Sequence, residues 1–157
     1  MVISNSNKDT FFCCKTTIMK KRASVKEIMS TNLKSLSLHN GTIENAKSIM
    51  EENGFRHLPI TNGNELAGII SLTDIKRISY GSNYGQEGTV DKAIFDSLSL
   101  NQVMIHNPTS ISPQTTIKEA AEIISANEFN ALPVLEDSKL IGILTSTDLI
   151  NYLIEQY

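Results

Sequence analysis

The chain has 157 residues, of which 40% are apolar and 20% charged, and its net charge is −3 at neutral pH. This composition is typical of one globular domain, or of two small halves that share a core, and it argues against a disordered protein. The negative charge argues against a general nucleic-acid-binding protein, because such proteins neutralise phosphates with clustered Lys and Arg.

Residues 1–22 are predicted to form a flexible leader. They contain one dense basic run, KKR at residues 20–22, which is a candidate binding arm for nucleic acid. Cys13 and Cys14 are adjacent, so a bridge between them would be strained, and this favours a reducing compartment. No apolar run reaches the ~20 residues of a membrane helix, and residues 1–18 lack the plan of a secretory signal. We therefore expect a cytoplasmic protein that contacts no membrane.

An internal repeat makes up most of the remaining chain. Residues 42–75 align without a gap on residues 116–149, and 13 of the 34 positions are identical. Four matches further upstream, such as Met29 with Met104, are spaced by 75 rather than 74 residues. The first copy therefore holds one extra residue, which falls in a turn-like stretch at residues 39–41. Such a duplication predicts two copies of one structural unit.

Each copy is predicted to have the element order β-α-β-β-α. A short β-leaning segment precedes a helix whose apolar residues recur at helical spacing, and a capping box opens the second of these helices at Thr116. Two strands follow, and the first has a proline near its start, so we expect this strand either to have a free edge there or to begin there. In chain order, the predicted strands are residues 33–37, 57–61 and 66–70 in the first copy, and residues 109–111, 131–135 and 140–144 in the second.

A second helix closes each copy, beginning at residue 71 or 73 and at residue 145 or 147. Between the copies, residues 79–88 are predicted to be a flexible connection, and residues 90–98 a short helix against the core. One unit of about 55 residues would leave an apolar helix face uncovered. We therefore predict an α+β fold in which the two repeats pack as a pseudo-two-fold pair. The predicted boundaries are 23–80 and 99–157 for the repeats and 81–98 for the connecting segment.

Both closing helices begin with the pattern [ST]-x-x-[DE], as SLTD at residues 71–74 and TSTD at residues 145–148. The pattern alone predicts a capping box that stabilises each helix by about 1 kcal/mol. It is also consistent with nucleotide binding, because helix N–H groups attract phosphate and a carboxylate accepts from both ribose hydroxyls. Gly68 and Gly142 would then let a flat ring approach the backbone closely. Both interpretations can hold, since one carboxylate oxygen can serve the helix and the other the sugar.

A family resemblance rests on FRHLPI (residues 55–60) with GIISLTDI (68–75), and on FNALPV (129–134) with GILTSTDL (142–149). Each pair of motifs resembles the cystathionine β-synthase (CBS) domain, and the tandem resembles a Bateman module. The resemblance extends over residues 25–153. It implies a regulatory module with no required cofactor, which binds an adenine nucleotide (AMP, ADP or ATP) or S-adenosylmethionine in clefts between the copies. It also implies a homodimer.

The same resemblance implies a set of ligand-binding residues. The hydroxyls of Ser71 and Thr145 would reach phosphate or ribose, and Asp74 and Asp148 would accept the ribose hydroxyls. Residues of the first strand and those around the proline would line the base and the phosphate. The implied set is Lys34, Ser35, Arg56, His57, Pro59, Ser71, Thr73, Asp74, Thr109, Ser110, Asn130, Ala131, Pro133, Thr145, Thr147 and Asp148.

The two copies are unequal directly before the proline, where Arg56 and His57 of the first copy replace Asn130 and Ala131 of the second. A guanidinium binds phosphate with two hydrogen bonds, and a histidine adds a pH-dependent charge. Arg56 is equally consistent with an exposed charge at a strand edge. We predict that one cleft prefers phosphate-rich ligands and that the other binds weakly or stays empty.

No catalytic set and no metal site are evident in the sequence. His39, His57 and His106 are far apart, and no Cys or His lies at ligand spacing. The Walker, GxSxG and HExxH motifs are absent. We therefore expect no enzyme, and an output through a target protein, the chain's own oligomer or a sequestered ligand. The alternative is a dimerisation scaffold whose clefts have lost their ligand.

Overall fold

A computed structural model of the chain describes residues 23–80, 95–127 and 129–157. The predicted leader, with its basic run and its two cysteines, lies outside the described residues, and so does most of the predicted connection. Of the helix predicted at 90–98, residues 95–98 are described; residues 95–97 are helical and residue 98 is not. In the described part of the chain, no helix has the length and apolar character that a membrane crossing requires.

The first repeat has the predicted order β-α-β-β-α. Its elements are β1 (Leu36–Ser37), α1 (Ile43–Asn53), β2 (His57–Asn62), β3 (Glu65–Ser71) and α2 (Leu72–Tyr80). Strands β2 and β3 form an antiparallel hairpin, and β1 runs parallel to β2 on its other side. Thr42 caps α1 by accepting from the backbone N–H of Asn45, and Gly54 ends it in the left-handed conformation that glycine tolerates best.

The second repeat has the same plan, with a weaker first strand. Its elements are α3 (Leu100–Val103), β4 (Ile105–His106), α4 (Ile117–Ser125), β5 (Ala131–Glu136), β6 (Lys139–Thr145) and α5 (Ser146–Glu155). The strand predicted at 109–111 is reduced to one parallel bridge, between Ile111 and Val134. The capping box predicted at Thr116 is present, since its hydroxyl accepts from the N–H of Glu119 while the Glu119 carboxylate accepts from Thr116.

The sequence predicts a free strand edge or a strand start at each proline, and the structure shows a free edge beside Pro59 only. Pro59 pairs with Ile69 of β3 on one side of β2, while pairing with β1 on the other side begins only at Ile60. In β5, the carbonyl of Pro133 accepts from the N–H of Ile111, so the edge of β5 beside this proline is not free. The pairing of each hairpin continues through its proline, opposite Ile69 in the first repeat and Ile143 in the second.

Each repeat sends its first segment onto the sheet of the other repeat. Strand β4, at the start of the second repeat, pairs with β3 of the first. In the same way, Ser30 of the first repeat pairs with Ile143 in β6 of the second. The two hairpins also meet directly at Glu65 and Lys139, and this contact joins the strands into one six-stranded sheet. The predicted pseudo-two-fold packing is therefore confirmed, and it proceeds through a reciprocal exchange of segments.

The exchange completes both hydrophobic cores. Val25, which is fully buried, belongs to the cluster of the second repeat, where it joins Leu132 and Leu144. Conversely, Leu100 and Met104 belong to the cluster of the first repeat. Neither core is complete without side chains from the other copy, which explains in physical terms why a single unit of this size would be marginal.

The exchange also corrects the prediction for Gly68 and Gly142. A Cβ atom at Gly68 would lie 2.7 Å from both the carbonyl oxygen of Ile105 and the sulfur of Met104. A Cβ atom at Gly142 would lie 2.6 Å from the sulfur of Met29. The space at both glycines is thus taken by the exchanged segments rather than left for a flat ring of a ligand.

Candidate functional site

The start of α2 is built by Ser71 and Asp74. The backbone N–H of Ser71 donates to Asp74 Oδ2 at 3.3 Å, its hydroxyl donates to the same oxygen, and the N–H of Asp74 donates to Ser71 Oγ at 3.1 Å. The capping interpretation is therefore confirmed here. These bonds use Oδ2, whereas Oδ1 lies 3.9 Å from the guanidinium of Arg77. The second carboxylate oxygen keeps capacity to accept hydrogen bonds from a ligand.

The start of α5 repeats this arrangement. The backbone N–H and the hydroxyl of Thr145 both donate to Asp148 Oδ2 at 2.7 Å, and the N–H of Asp148 donates to Thr145 Oγ1 at 3.3 Å. At the position equivalent to Arg77, the second repeat has Asn151. The two acidic side chains are thus held in the same orientation by the same bonds, but with different charges beside them.

Asp74 lies on the wall of an open groove of about 340 Å³ between α2 and the exchanged segment around α3. Its side chain is 29% exposed, so it is neither buried nor free in bulk solvent. The groove therefore lies where the two repeats meet. Its lining residues are Asp74, Arg77, Ile78, Leu98, Gln102 and Val103.

The predicted residues of the first strands lie on the two crossovers between the repeats. Residues 31–35 connect Ser30, at the edge of β6, to β1, at the edge of β2. Residues 107–110 likewise connect β4, beside β3, to the bridge between Ile111 and β5. The candidates on these crossovers are exposed, and they are Lys34, Ser35, Thr109 and Ser110.

The residues before the prolines lie next to the helix starts. The carbonyl of Arg56 accepts from the N–H of Leu72 at 2.9 Å, and the carbonyl of Asn130 accepts from the N–H of Ser146 at 3.0 Å. Each of these bonds ties the start of a hairpin to the first residue of the helix that follows it. The side chains of Arg56 and Asn130 are exposed, so they are accessible to a ligand at those helix starts.

His57 is the titratable group of this region whose environment is clearly perturbed. It is half-buried at the start of β2, directly opposite Ser71 in the β2–β3 ladder. Burial lowers the pKa of His57 below its ordinary value of 6.5, the carboxylate of Asp74 opposes this effect, and the charge of Arg56 adds to it. At neutral pH the imidazole is therefore mostly uncharged. Its counterpart Ala131, opposite Thr145, does not titrate.

The remaining predicted residues divide by accessibility. Pro59 is fully buried in β2, and Pro133 and Ala131 are buried at the start of β5, so a ligand cannot reach these side chains in this conformation. Thr73 and Thr147 are exposed in the first turns of α2 and α5.

Sequence reasoning missed the part of the groove that comes from Arg77 and from the segment around α3. Arg77 follows Asp74 by three residues and lies on the same helix face, so the helical period contained a signal for it. Leu98, Gln102 and Val103 carried no signal, because only the exchange of segments brings them to α2.

The described histidines outside this region have structural partners. The ring Nε2 of His39 lies 3.1 Å from the side-chain oxygen of Asn62, and that of His106 lies 2.8 Å from the carbonyl oxygen of Asn101. In residues 23–80, 95–127 and 129–157, no three His, Cys, Asp or Glu side chains come together as a metal site would require.

Comparison with known proteins places this fold. The family model described as "CBS domain" matches residues 25–81 and 100–155. A CBS domain-containing protein of Dictyostelium discoideum is 32% identical over 83% of this chain and 91% of its own length. The protein MJ1225 of Methanocaldococcus jannaschii is 30% identical over 66% of this chain, which spans 38% of MJ1225.

The solved structures agree in fold. The structure of MJ1225 superposes with a TM-score of 0.73 at 24% identity, covering 85% of this chain and 49% of that one. The structure of CBSX2 in complex with AMP superposes with a TM-score of 0.70 at 22% identity, covering 85% of this chain and 97% of that one. Because the family model matches two tandem segments that make up more than half of the residues, the chain belongs to the CBS domain family, as a CBS-domain pair.

Proposed function

We propose that this CBS-domain pair is a cytoplasmic regulatory module that binds an adenosine-type ligand between its two repeats. The repeats span residues 23–80 and 99–157. The ligand class is AMP, ADP, ATP or S-adenosylmethionine. Its occupancy is signalled through the conformation of the pair or through binding to a target protein. One observation carries the proposal most directly: the box at each helix start uses a single carboxylate oxygen of Asp74 and of Asp148.

The geometry supports binding of a ribose. A carboxylate oriented by bonds to one of its oxygens presents the other oxygen in a fixed position, so little entropy is lost when that oxygen accepts a hydroxyl. The 2′ and 3′ hydroxyls of a ribose are adjacent donors that suit such an acceptor. Asp74 also borders a groove between the repeats, and the helix N-terminus beside it favours a negatively charged ligand group.

The relatives support the ligand class. CBSX2, whose structure contains AMP, has the same fold over 85% of this chain. At 22% identity, the similarity to CBSX2 supports a common fold but not common ligand contacts. The ligand contacts proposed for this chain therefore rest on the geometry of its own residues. We propose as ligand contacts the residues that are accessible at the helix starts and on the crossovers. They are Lys34, Ser35, Arg56, His57, Ser71, Thr73, Asp74, Thr109, Ser110, Asn130, Thr145, Thr147 and Asp148.

The exchange of segments suggests how binding would be signalled. The groove beside Asp74 has one wall from α2 of the first repeat and one wall from residues 98–103, which lead into the second. A ligand that contacts both walls would favour one relative position of the repeats. The shift it produces is limited by the difference in its affinity for the two positions.

A thermal-shift screen tests the proposal. AMP, ADP, ATP and S-adenosylmethionine should each be added at saturating concentration, and at least one of them should raise the melting temperature. At a ligand concentration of about 100 times Kd, binding raises the free energy of unfolding by about 2.7 kcal/mol. For a chain of this size, this raises the melting temperature by roughly 5–10 °C. If none of the four ligands raises the melting temperature, ligand binding is contradicted and the dimerisation scaffold is favoured.

The matched variant is Asp74→Asn combined with Asp148→Asn. The amide oxygen of Asn can still accept from Ser71 or Thr145, so the helix caps remain. The amide nitrogen, however, replaces the ligand-facing acceptor with a donor. The double variant should therefore melt close to the wild type without ligand and lose the ligand-induced shift. A shift that survives in this variant would show that the two acidic residues do not contact the ligand.

A homodimer is a second proposal, favoured by the outer face of α5. Ile150, Leu153 and Ile154 are exposed by 56%, 45% and 65%, and their spacing places them on one face of the helix. A second copy of the chain would cover this stripe by an isologous contact. The first repeat has Lys76 at the position of Ile150. Ile150→Lys should therefore convert a dimer to a monomer in light scattering, and a wild-type monomer would contradict the proposal.

A further inference from the structure

The two helix starts share their acidic residue and differ in positive charge. Five basic residues of the first repeat lie on its crossover, before its proline and in α2, and each has a neutral counterpart at the equivalent position. The pairs are Lys34 with Thr109, Arg56 with Asn130, His57 with Ala131, Lys76 with Ile150 and Arg77 with Asn151. The first repeat therefore offers positively charged or titratable side chains to an anionic ligand at five positions where the second offers neutral ones.

His57 is the member of this set whose charge changes near neutral pH. Three polar or charged groups act on it: Ser71 of β3 lies directly opposite, α2 presents the carboxylate of Asp74, and Arg56, which directly precedes β2, contributes its guanidinium. Strand β1 does not pair with β2 until Ile60, three residues further along. One acidic and one basic neighbour thus act on a half-buried imidazole beside the proposed ribose acceptor.

We propose that the phosphate of a bound nucleotide and a proton on His57 bind cooperatively at the first repeat, so that its affinity for phosphorylated ligands rises as the pH falls. This inference rests on the proposed function, because it concerns regulation of the same cleft. The second repeat, with Ala131 opposite Thr145, has no such coupling. The pair would then report a nucleotide phosphate and acidification through the same site.

The physical reason is thermodynamic linkage. In the free protein, burial disfavours the imidazolium, so His57 is mostly neutral at neutral pH. A phosphate within ion-pair distance favours the charged form, and each unit by which it raises the pKa is a tenfold gain in ligand affinity at low pH. The gain develops as the pH falls through the pKa of the complex, and it levels off below the pKa of the free protein. Arg56 stays charged throughout and contributes a pH-independent attraction.

The test is a calorimetric titration of the full chain with AMP and with adenosine at about pH 8 and about pH 6, a range in which histidine titrates. The variants are His57→Gln, which is neutral at all pH values, and Arg56→Asn, which introduces the residue of the second repeat. The phosphate of AMP itself has a second pKa of about 6. This effect is common to all variants, so the wild type is compared with His57→Gln.

The wild type should gain several-fold in AMP affinity relative to His57→Gln as the pH falls, and it should take up protons on binding in buffers of different ionisation enthalpy. Adenosine should show no such gain. Arg56→Asn should bind AMP more weakly at both pH values and keep the proton uptake. Identical pH dependence of the wild type and His57→Gln would overturn the inference and leave the proposed function standing. Absence of binding by both AMP and adenosine would overturn the inference, and absence of binding by ADP, ATP and S-adenosylmethionine as well would overturn the proposed function.

Discussion

Alanine at Gly68 should destabilise the fold more than alanine at Gly142, although the two glycines occupy equivalent positions of the repeat. At Gly68, the added Cβ would lie 2.7 Å from the backbone oxygen of Ile105, which belongs to the exchanged strand β4. At Gly142, all three nearest atoms belong to the side chain of Met29, at 2.6, 3.2 and 3.4 Å. The two sites therefore differ in whether a backbone or a flexible side chain has to move.

The expected magnitudes follow from this difference. The oxygen of Ile105 can retreat only if β4 separates from β3, and overpacking of this kind costs about 1–3 kcal/mol. We expect about 2 kcal/mol for Gly68→Ala, which lowers the melting temperature of a chain of this size by roughly 4–8 °C. Met29 can change rotamer, and the loss of unfolded-chain entropy on Gly→Ala stabilises by about 0.4–1 kcal/mol. Gly142→Ala should therefore cost less than about 1 kcal/mol.

Thermal and urea unfolding of the two variants, measured side by side, give the comparison. Met29→Ala combined with Gly142→Ala is the control, because it removes the atoms that the new Cβ meets, and the two changes should be less than additive. Equal costs at the two glycines, or a larger cost at Gly142, would refute the reasoning that a backbone oxygen limits Gly68 while a flexible side chain limits Gly142.

Three further predictions concern the core, a helix cap and the half-buried His57. Val25→Ala removes two buried methyl groups from the core of the second repeat and should lower the free energy of unfolding by about 2 kcal/mol; an unchanged urea midpoint would place Val25 outside that core. Thr116→Ala deletes the cap of α4 and should cost about 1 kcal/mol in the same assay, whereas a cost near zero would mean that the box does not stabilise the helix. The pKa of His57 is lower in the folded state than in the unfolded chain, so protonation of His57 opposes folding. The free energy of unfolding of the wild type should therefore fall as the pH drops below the unfolded-state pKa of about 6.5. The decline should end once the pH is below the folded-state pKa. His57→Gln should lack this decline in urea unfolding between about pH 8 and about pH 5, and parallel curves for the two proteins would contradict the assignment.

The repeat, its element order and its helix caps could be predicted because they are local. Thr116 with Glu119 and Thr145 with Asp148 are capping pairs three residues apart, and such pairs depend on the backbone of one turn only. Pro59 could be placed because a proline's missing donor restricts it to a strand edge. The first strand of the second repeat is shorter than the predicted residues 109–111, since only Ile111 pairs with β5. Its length depends on how far the crossover runs alongside β5.

The exchange of segments could not be predicted, because the sequence is consistent with two arrangements. Met29 and Met104 occupy equivalent positions, so Met104 could pack on the glycine of its own repeat or on that of the other. Only the tertiary structure decides between them. The arrangement of the segments also determines what lies against Gly68, which is the side chain of Met104 and the backbone oxygen of Ile105 rather than the ring of a ligand.

The central claim is that Asp74 and Asp148 each use one oxygen for the helix and offer the other to a ribose. Calorimetric titration of the wild-type chain with AMP and with 2′,3′-dideoxy-AMP tests it most directly, because the two ligands differ only in the hydroxyl groups. Hydrogen bonds to a charged group contribute about 1.5–3 kcal/mol, so the dideoxy ligand should bind roughly 10- to 100-fold more weakly. Equal affinities for the two nucleotides would contradict the claim.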